Sequence, residues 1–358
     1  MKRYIFFIAA ALLAAVSCSK IYDATPVTQE QAIGFGTWAE NLTKARTPGQ
    51  ETFGEGDTFE VYGFKVNGGT NNVVFNGDVV TYGTPNWTYT NTRYWDPSAT
   101  SYTFYGVSPS GVVPTANVAA ETGAIAATSI TFDGNNNDIL VANKKVVVPT
   151  GTPATYATSP VQMDFKHIAS LVDFKVKKHA DLNASTVNIT GFSITNIDNA
   201  GNFAVTTGYT DDVLTNVTWT ATGRETFKNN SDGSAKHGVV EVALPTGLSS
   251  SEDSYLINNL VIMPQTFRSG SDENIQMVNI AYTITDAASN VSTYSSSFEL
   301  KSFDNVDDTD NEDSIIGGWE KGKHYTFVIT INANAIKFTG NIVNWVTTNA
   351  TGYHYLVN

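Results

Sequence analysis

Several stretches of this chain alternate apolar and polar residues with a period of two, and that pattern constrains the fold more than anything else in the sequence. In Leu171-Val-Asp-Phe-Lys-Val-Lys177, Val172, Phe174 and Val176 point one way while Asp173, Lys175 and Lys177 point the other. Tyr325, Phe327, Ile329 and Ile331 repeat the pattern against His324, Thr326 and Thr330, as do Ile280, Tyr282 and Ile284, and Val240, Val242 and Leu244. A repeat of two with one apolar face is a strand packed on a core, because successive side chains leave a pleated strand on opposite sides. Asn67-Gly68-Gly69, Asp133-Gly134-Asn135 and Asn199-Ala200-Gly201 separate such stretches and read as turns, since these residues tolerate positive φ. No sustained helical periodicity competes; Trp38 to Lys44 has room for one or two helical turns. The expected class is all-β, built of antiparallel sandwiches.

Composition sharpens this. Charged residues make up 15% of the chain, below the usual quarter or so. The net charge of −13 repels phosphate backbones and excludes nucleic acid as a natural partner. One cysteine among 358 residues rules out an intrachain disulfide, so a packed core has to supply the stability.

That cysteine ends a leader. Lys2 and Arg3 precede an apolar run from Ile5 to Val16, too short for a membrane span of about 20 residues and followed by small residues. Ala15-Val16-Ser17-Cys18 resembles a relaxed lipobox without the usual leucine three residues before the cysteine. We read residues 1–17 as a lipoprotein signal peptide and Cys18 as the acylated first residue of the mature chain. An ordinary signal peptide with a chance cysteine is the alternative. No later segment has the apolar length to cross a membrane, so the lipid would be the anchor. Residues 18–49 form an N-terminal segment. Pro149-Thr-Gly-Thr-Pro153 and Ser159-Pro160 then bracket a stretch without alternation. They divide the rest into a first sandwich over residues 50–157, rich in aromatic residues, and a second over 158–358, richer in β-branched ones.

Catalytic constellations are missing. The histidines 167, 179, 237, 324 and 354 show no zinc spacing, and there is no phosphate loop or Gly-x-Ser-x-Gly elbow. His167 reads as a hydrogen-bonded structural residue and Trp95-Asp96-Pro97 as a rigid turn whose Trp plugs a sandwich end. Asp308, Asp310 and Glu312 imitate the start of a calcium loop, but Asp313 stands where its glycine belongs and Trp319 where its bidentate Glu belongs. A solvated acidic loop over 304–313 is the preferred reading and a weak cation site the alternative. We expect no enzyme, no cofactor and no metal.

The order of motifs resembles a known family. Gly56-Asp57-Thr-Phe59-Glu-Val61-Tyr62-Gly-Phe64 leads to Val74-Phe75-Asn76-Gly77, Trp87-Thr-Tyr89 and Arg93-Tyr94-Trp95-Asp96-Pro97. Tyr102-Thr-Phe104-Tyr105-Gly-Val107, Asp138-Ile-Leu140-Val-Ala142 and Phe165-Lys-His167 follow. Val261-Ile-Met-Pro264-Gln265 and Trp319-Glu-Lys-Gly322-Lys-His-Tyr325 lead to a last stretch from Ile336 to Trp345. Together they are similar to the fimbrillin family, lipoprotein subunits of type V pili of Gram-negative anaerobes. The resemblance implies two tandem transthyretin-like β-sandwich domains and a stalk, tip or anchor role in a fimbrium displayed from the outer membrane, with other fimbrillin subunits as partners. It also implies an arginine-specific processing protease, which would cut between Arg46 and Thr47 and release an N-terminal strand that starts at Ile33-Gly-Phe35. A C-terminal strand within Thr347 to Asn358, with Tyr353, Tyr355 and Val357 in alternation, would fill the vacated edge of the next subunit. An uncut linker over Thr37 to Gln50 is the alternative. A non-pilus surface lipoprotein that binds carbohydrate or host glycans is the other functional class, and a cluster of exposed loop aromatics would be its mark.

Overall fold

A computed structural model describes residues 31–37, 53–83, 86–113, 124–132, 138–149, 159–205, 213–230, 243–270, 273–305, 315–333 and 336–344. The strands of the first half are β1 (Phe35–Thr37), β2 (Thr58–Asn67), β3 (Thr70–Gly83), β4 (Asn86–Tyr89) and β5 (Ser101–Ser108). After them come β6 (Ile125–Thr131), β7 (Leu140–Ala142), β8 (Lys145–Val147), β9 (Val161–Met163) and β10 (Phe165–His167). The second half holds β11 (Ser170–Lys178), β12 (Thr186–Val205), β13 (Val217–Asn230), β14 (Ser254–Ile262) and β15 (Gln265–Thr266). It continues with β16 (Met277–Thr285), β17 (Val291–Glu299), β18 (Asp304–Asn305), β19 (Gly318–Trp319), β20 (Lys323–Ile331) and β21 (Ile336–Asn344). The described molecule is all-β, as the alternation requires.

One sheet runs β10-β7-β5-β2-β3-β4, with β8 alongside β5. Both of its faces are covered. Phe59, Val61, Tyr102 and Phe104 enter one core, while Tyr62, Phe64, Tyr105 and Val107 enter another on the far side. Two buried faces explain why Tyr102-Thr-Phe104-Tyr105-Gly-Val107 is nearly continuously apolar rather than alternating. The hairpin between β2 and β3 turns on Gly68 and Gly69, at φ of 58° and 80°. Here the Asn-Gly-Gly turn forms where it is expected.

The second half is a sandwich of two sheets, β14-β11-β20-β21-β18 and β13-β12-β16-β17, with β6 paired to β12. β11 and β20 lie parallel at the centre, and Phe174 stacks on Phe327 at 4.8 Å. Val172, Phe174, Val176, Tyr325, Phe327, Ile329 and Ile331 are all buried, the inward set expected from the alternation. Ile280 and Tyr282 point inward from β16.

Some expectations are corrected. Asp173, predicted to face water, is buried: its carboxylate accepts Asn259 N–H at 2.7 Å and lies 2.9 Å from His324 Nε2. Asn199-Ala200-Gly201 is no turn but lies within β12, where the register against β13 shifts on both sides of Ala200. A Cβ on Gly201 would stand 2.8 Å from the Thr220 carbonyl oxygen, so this glycine serves a close approach between strands. Leu244 lies outside a strand, and Val240 and Val242 fall outside the described residues, as do 133–137 and the possible helical turn at 38–44.

The halves are also joined. β9 and β10, beyond residue 158, pair with β1 and β7, and β6 pairs with β12. A third core packs Tyr62, Tyr105 and Val107 of the first sheet against Ile125, Phe203, Val205, Val213 and Val217.

Candidate functional site

Residues 31–37 are a short piece of chain lodged in the first core. Ile33 and Phe35 point inward and are 1% and 5% exposed. Gly34 and Gly36 alternate with them. A Cβ on Gly34 would lie 3.9 Å from Pro160, and one on Gly36 would lie 2.6 Å from Gln162 Nε2. At Gly34 that is ordinary contact, and at Gly36 it meets the end of a flexible side chain, so only Gly36 is crowded and only by Gln162.

Backbone on both sides grips this piece. Along one edge β1 runs parallel to β9, with Phe35, Gly36 and Thr37 opposite Val161, Gln162 and Met163. Val161 N–H donates to the Gly34 carbonyl at 2.8 Å. Along the other edge Ala32 bridges Tyr94, Ile33 N–H donates to the Arg93 carbonyl at 2.8 Å, and Trp95 N–H donates to the Gln31 carbonyl at 2.9 Å. From within the core the Tyr89 hydroxyl donates to the Ile33 carbonyl at 2.6 Å, and burial pushes that phenol's pKa up.

The slot is aromatic. The Phe35 ring meets Phe59, Phe75, Tyr89 and Phe104 edge-on, with centroids 6.0, 5.2, 5.8 and 5.8 Å away. Edge-to-face is a preferred arrangement of aromatic rings, so these four contacts hold Phe35 more firmly than its buried area alone would.

The wall that carries Arg93 and Trp95 is fixed from behind. Arg93 Nε donates to the Val74 carbonyl at 3.1 Å and its guanidinium lies over the Phe75 ring. Trp95 is buried against Tyr102, 4.7 Å between centroids. Asp96 accepts from Lys65 Nζ at 2.7 Å and from the Ser98 hydroxyl and backbone N–H. The Lys65 bond, and after it those from Ser98, hold the Asp96 carboxyl well below the usual carboxylate range. Trp95-Asp96-Pro97 is thus a braced turn with a buried Trp, as read from the sequence.

Processing and exchange are assigned to other positions in the sequence. Cys18, Arg46, Thr47, Tyr353, Tyr355 and Val357 are outside the described residues, as are 306–314 of the acidic loop. Among the described residues no group of three or more His, Cys, Asp or Glu side chains is placed to hold a metal ion. His167 is buried with Nδ1 2.9 Å from Asp138 Oδ1, a structural pair. Among the described residues the exposed tyrosines are Tyr94, between β4 and β5, Tyr255 on β14 and Tyr294 on β17, and they form no loop cluster. Sequence reasoning missed Tyr89, Arg93 and Val161 to Met163 as the walls of the slot. The first two belong to motifs already singled out, but nothing in their spacing marks them as partners of Ile33.

A family model described as fimbrillin-like matches residues 43–345. No curated protein matches the chain. Among solved structures, a fimbrial protein from Bacteroides vulgatus is similar at 15% identity and a TM-score of 0.48, covering 88% of this chain and 100% of that one. The tip fimbrial protein Mfa3 from Porphyromonas gingivalis, solved with a C-terminal truncation, has 9% identity and a TM-score of 0.40, covering 81% of this chain and 95% of that one. The structural likenesses are too distant to carry an argument alone, but the family match extends over most of the sequence, and the chain belongs to the fimbrillin-like family.

Proposed function

We propose that this protein is a structural subunit, or a tip or anchor component, of a type V pilus, exported as an outer-membrane lipoprotein acylated on Cys18 and assembled by donor-strand exchange. It acts in surface adhesion and has no catalytic role. The observation that carries this reading is the lodged strand: Ile33 and Phe35 fill an aromatic slot, yet chain connectivity ties them to the body only through residues 38–52. A cut between Arg46 and Thr47 would leave residues 31–37 held by non-covalent contacts alone. Their withdrawal would bare the backbone of 93–95 and 161–163 and the rings around Phe35. Unpaired strand edges beside an apolar slot invite a replacement strand. Tyr353, Tyr355 and Val357 repeat the alternate spacing of Ile33 and Phe35, which suits the tail of a neighbouring subunit to that slot.

Mass spectrometry of protein from purified surface fibres tests the scheme. An N-terminus at Thr47 supports it, whereas an acylated Cys18 in every assembled copy removes it for this subunit and leaves the anchor role. Deleting residues 347–358 is expected to abolish polymers while the monomer stays folded. Cys18→Ala is expected to move the chain to soluble fractions or stall its processing, because several acyl chains on one cysteine give stable anchoring at about 0.8 kcal/mol per buried CH₂. The division at residues 157 and 158 belongs to the same proposal. Limited proteolysis between 149 and 160 should give two fragments that stay associated through β9, β10 and the third core.

A further inference from the structure

Among the described residues most strand edges carry a device that discourages another strand from pairing. β10, β4 and β18, at sheet ends, are three, four and two residues long. The open part of β3 has two register shifts and Gly77 at a φ of 79°. β14 has register shifts against β11 and Asn259 at a φ of 56°. β13 has three shifts against β12 and carries Arg224 and Glu225. β21 is covered at its centre by β18 and carries Lys337. Short, bulged or charged edges are how soluble β proteins avoid sticking edge to edge.

β17 is the exception among the described residues. Val-Ser-Thr-Tyr-Ser-Ser-Ser-Phe-Glu contains no proline, no glycine and no basic residue, and its only charge is the terminal Glu299. It pairs with β16 over nine consecutive positions without a register shift, and it ends its sheet. Residues 291–295 are exposed, including Val291 at 64% and Tyr294 at 43%. Nine residues make an edge of about 30 Å.

We propose that β17 is a docking edge for β17 of a second copy of this chain, the two strands pairing antiparallel about a twofold axis. Charge permits this occupant at this edge. Two chains of net charge −13 repel over most of their surfaces, while the eight residues from Val291 to Phe298 are neutral. The strand is also self-complementary. With full overlap the axis passes through Ser295, so Thr293 faces Ser297 of the second copy and Ser295 faces its own equivalent. Hydroxyl pairs of this kind stabilise neighbouring strands. This edge is separate from the slot of residues 31–37, so lateral pairing neither needs strand exchange nor competes with it.

The test uses the mature chain, residues 18–358, with Cys18→Ala and Arg46→Ala, which removes the lipid and the processing site and with them the proposed route to polymers. Sedimentation velocity should show a concentration-dependent dimer. Thr293→Lys with Ser295→Lys places like charges across the axis and should weaken association roughly tenfold or more, with circular dichroism and melting temperature unchanged. Ser295→Cys in the same background should oxidise to a covalent dimer, whereas Thr220→Cys on β13 should not. A chain that stays monomeric at every concentration, a dimer indifferent to the lysines, or equal cross-linking from position 220 would overturn the proposal. Because Arg46 is blocked throughout, failure here leaves the strand-exchange scheme standing, and failure of that scheme leaves this edge untouched.

Discussion

The two largest cores of this molecule are built differently. Around the lodged strand half of the buried residues are aromatic, among them Phe35, Phe53, Phe59, Phe75, Trp95, Tyr102, Phe104 and Phe165. In the larger core between the second pair of sheets fewer than a third are, and Val, Ile and Leu fill most positions. The chain feeding them differs too. The larger core draws on residues 132 to 331, whereas the smaller takes Ile33 and Phe35 from a piece separated from its body by residues 38–52. Interiors are close-packed whatever their composition, so the loss of a buried side chain is felt in either core. The contrast is between a core filled from one long stretch of chain and a core completed by a short N-terminal piece.

The sharpest way to break this contrast is to cut a ring from each core. Phe327→Ala removes the stacking partner of Phe174 and a ring contact 4.7 Å from Phe303, at a position 0% exposed. It should cost about 3–5 kcal/mol of global stability, read as a lowered denaturation midpoint. Phe35→Ala in the uncut chain should cost less, about 2 kcal/mol, because the strand can open locally while the rest stays folded. Hydrogen exchange separates the two. In Phe35→Ala the amides of residues 33 and 161 should exchange faster while those of β20 keep their protection. Equal global destabilisation, with uniform loss of protection, would remove the distinction between the cores.

These cores were unequally legible in the sequence. Where one face of a strand is solvated, the period of two appears, and β11, β16 and β20 were found from it. β2 and β5 bury both faces, so no alternation marks their orientation, and the third core between the halves could not be anticipated. Parallel pairing was equally hidden. Nothing local links Leu171 to His324 or Phe35 to Val161, since such partners are joined only through the folded topology. Ile33 and Phe35 were recognisable as strand-like, but not what holds them: the Arg93 carbonyl and the Tyr89 hydroxyl act as acceptor and donor through distances that no motif encodes. Asp173 misled for a related reason. A carboxylate in an alternating strand reads as solvent-facing until Asn259 and His324, far along the chain, are brought to it.

The smallest expected effect concerns the wall of the slot rather than its contents. Lys65 and Ser98 hold the Asp96 carboxyl below its ordinary range, so the native state favours the ionised form. A group whose pKa is depressed on folding adds stability that is present above the unfolded-state value, near 4, and lost as pH falls through the lower folded-state value. Because the Lys65 and Asp96 side chains are about a quarter exposed, at 27% and 26%, water weakens the pair. Asp96→Asn at neutral pH should therefore cost only about 1 kcal/mol. Its signature is more useful than its size. Wild type and variant should converge in stability on acidification below the ordinary carboxylate range, and hydrogen exchange should rise at Trp95 and Ile33 before it rises in β11 or β20. The larger core draws nothing from Asp96, so early loss of protection there would mean that the slot wall and the larger core unfold as one unit, and the contrast between them would fail.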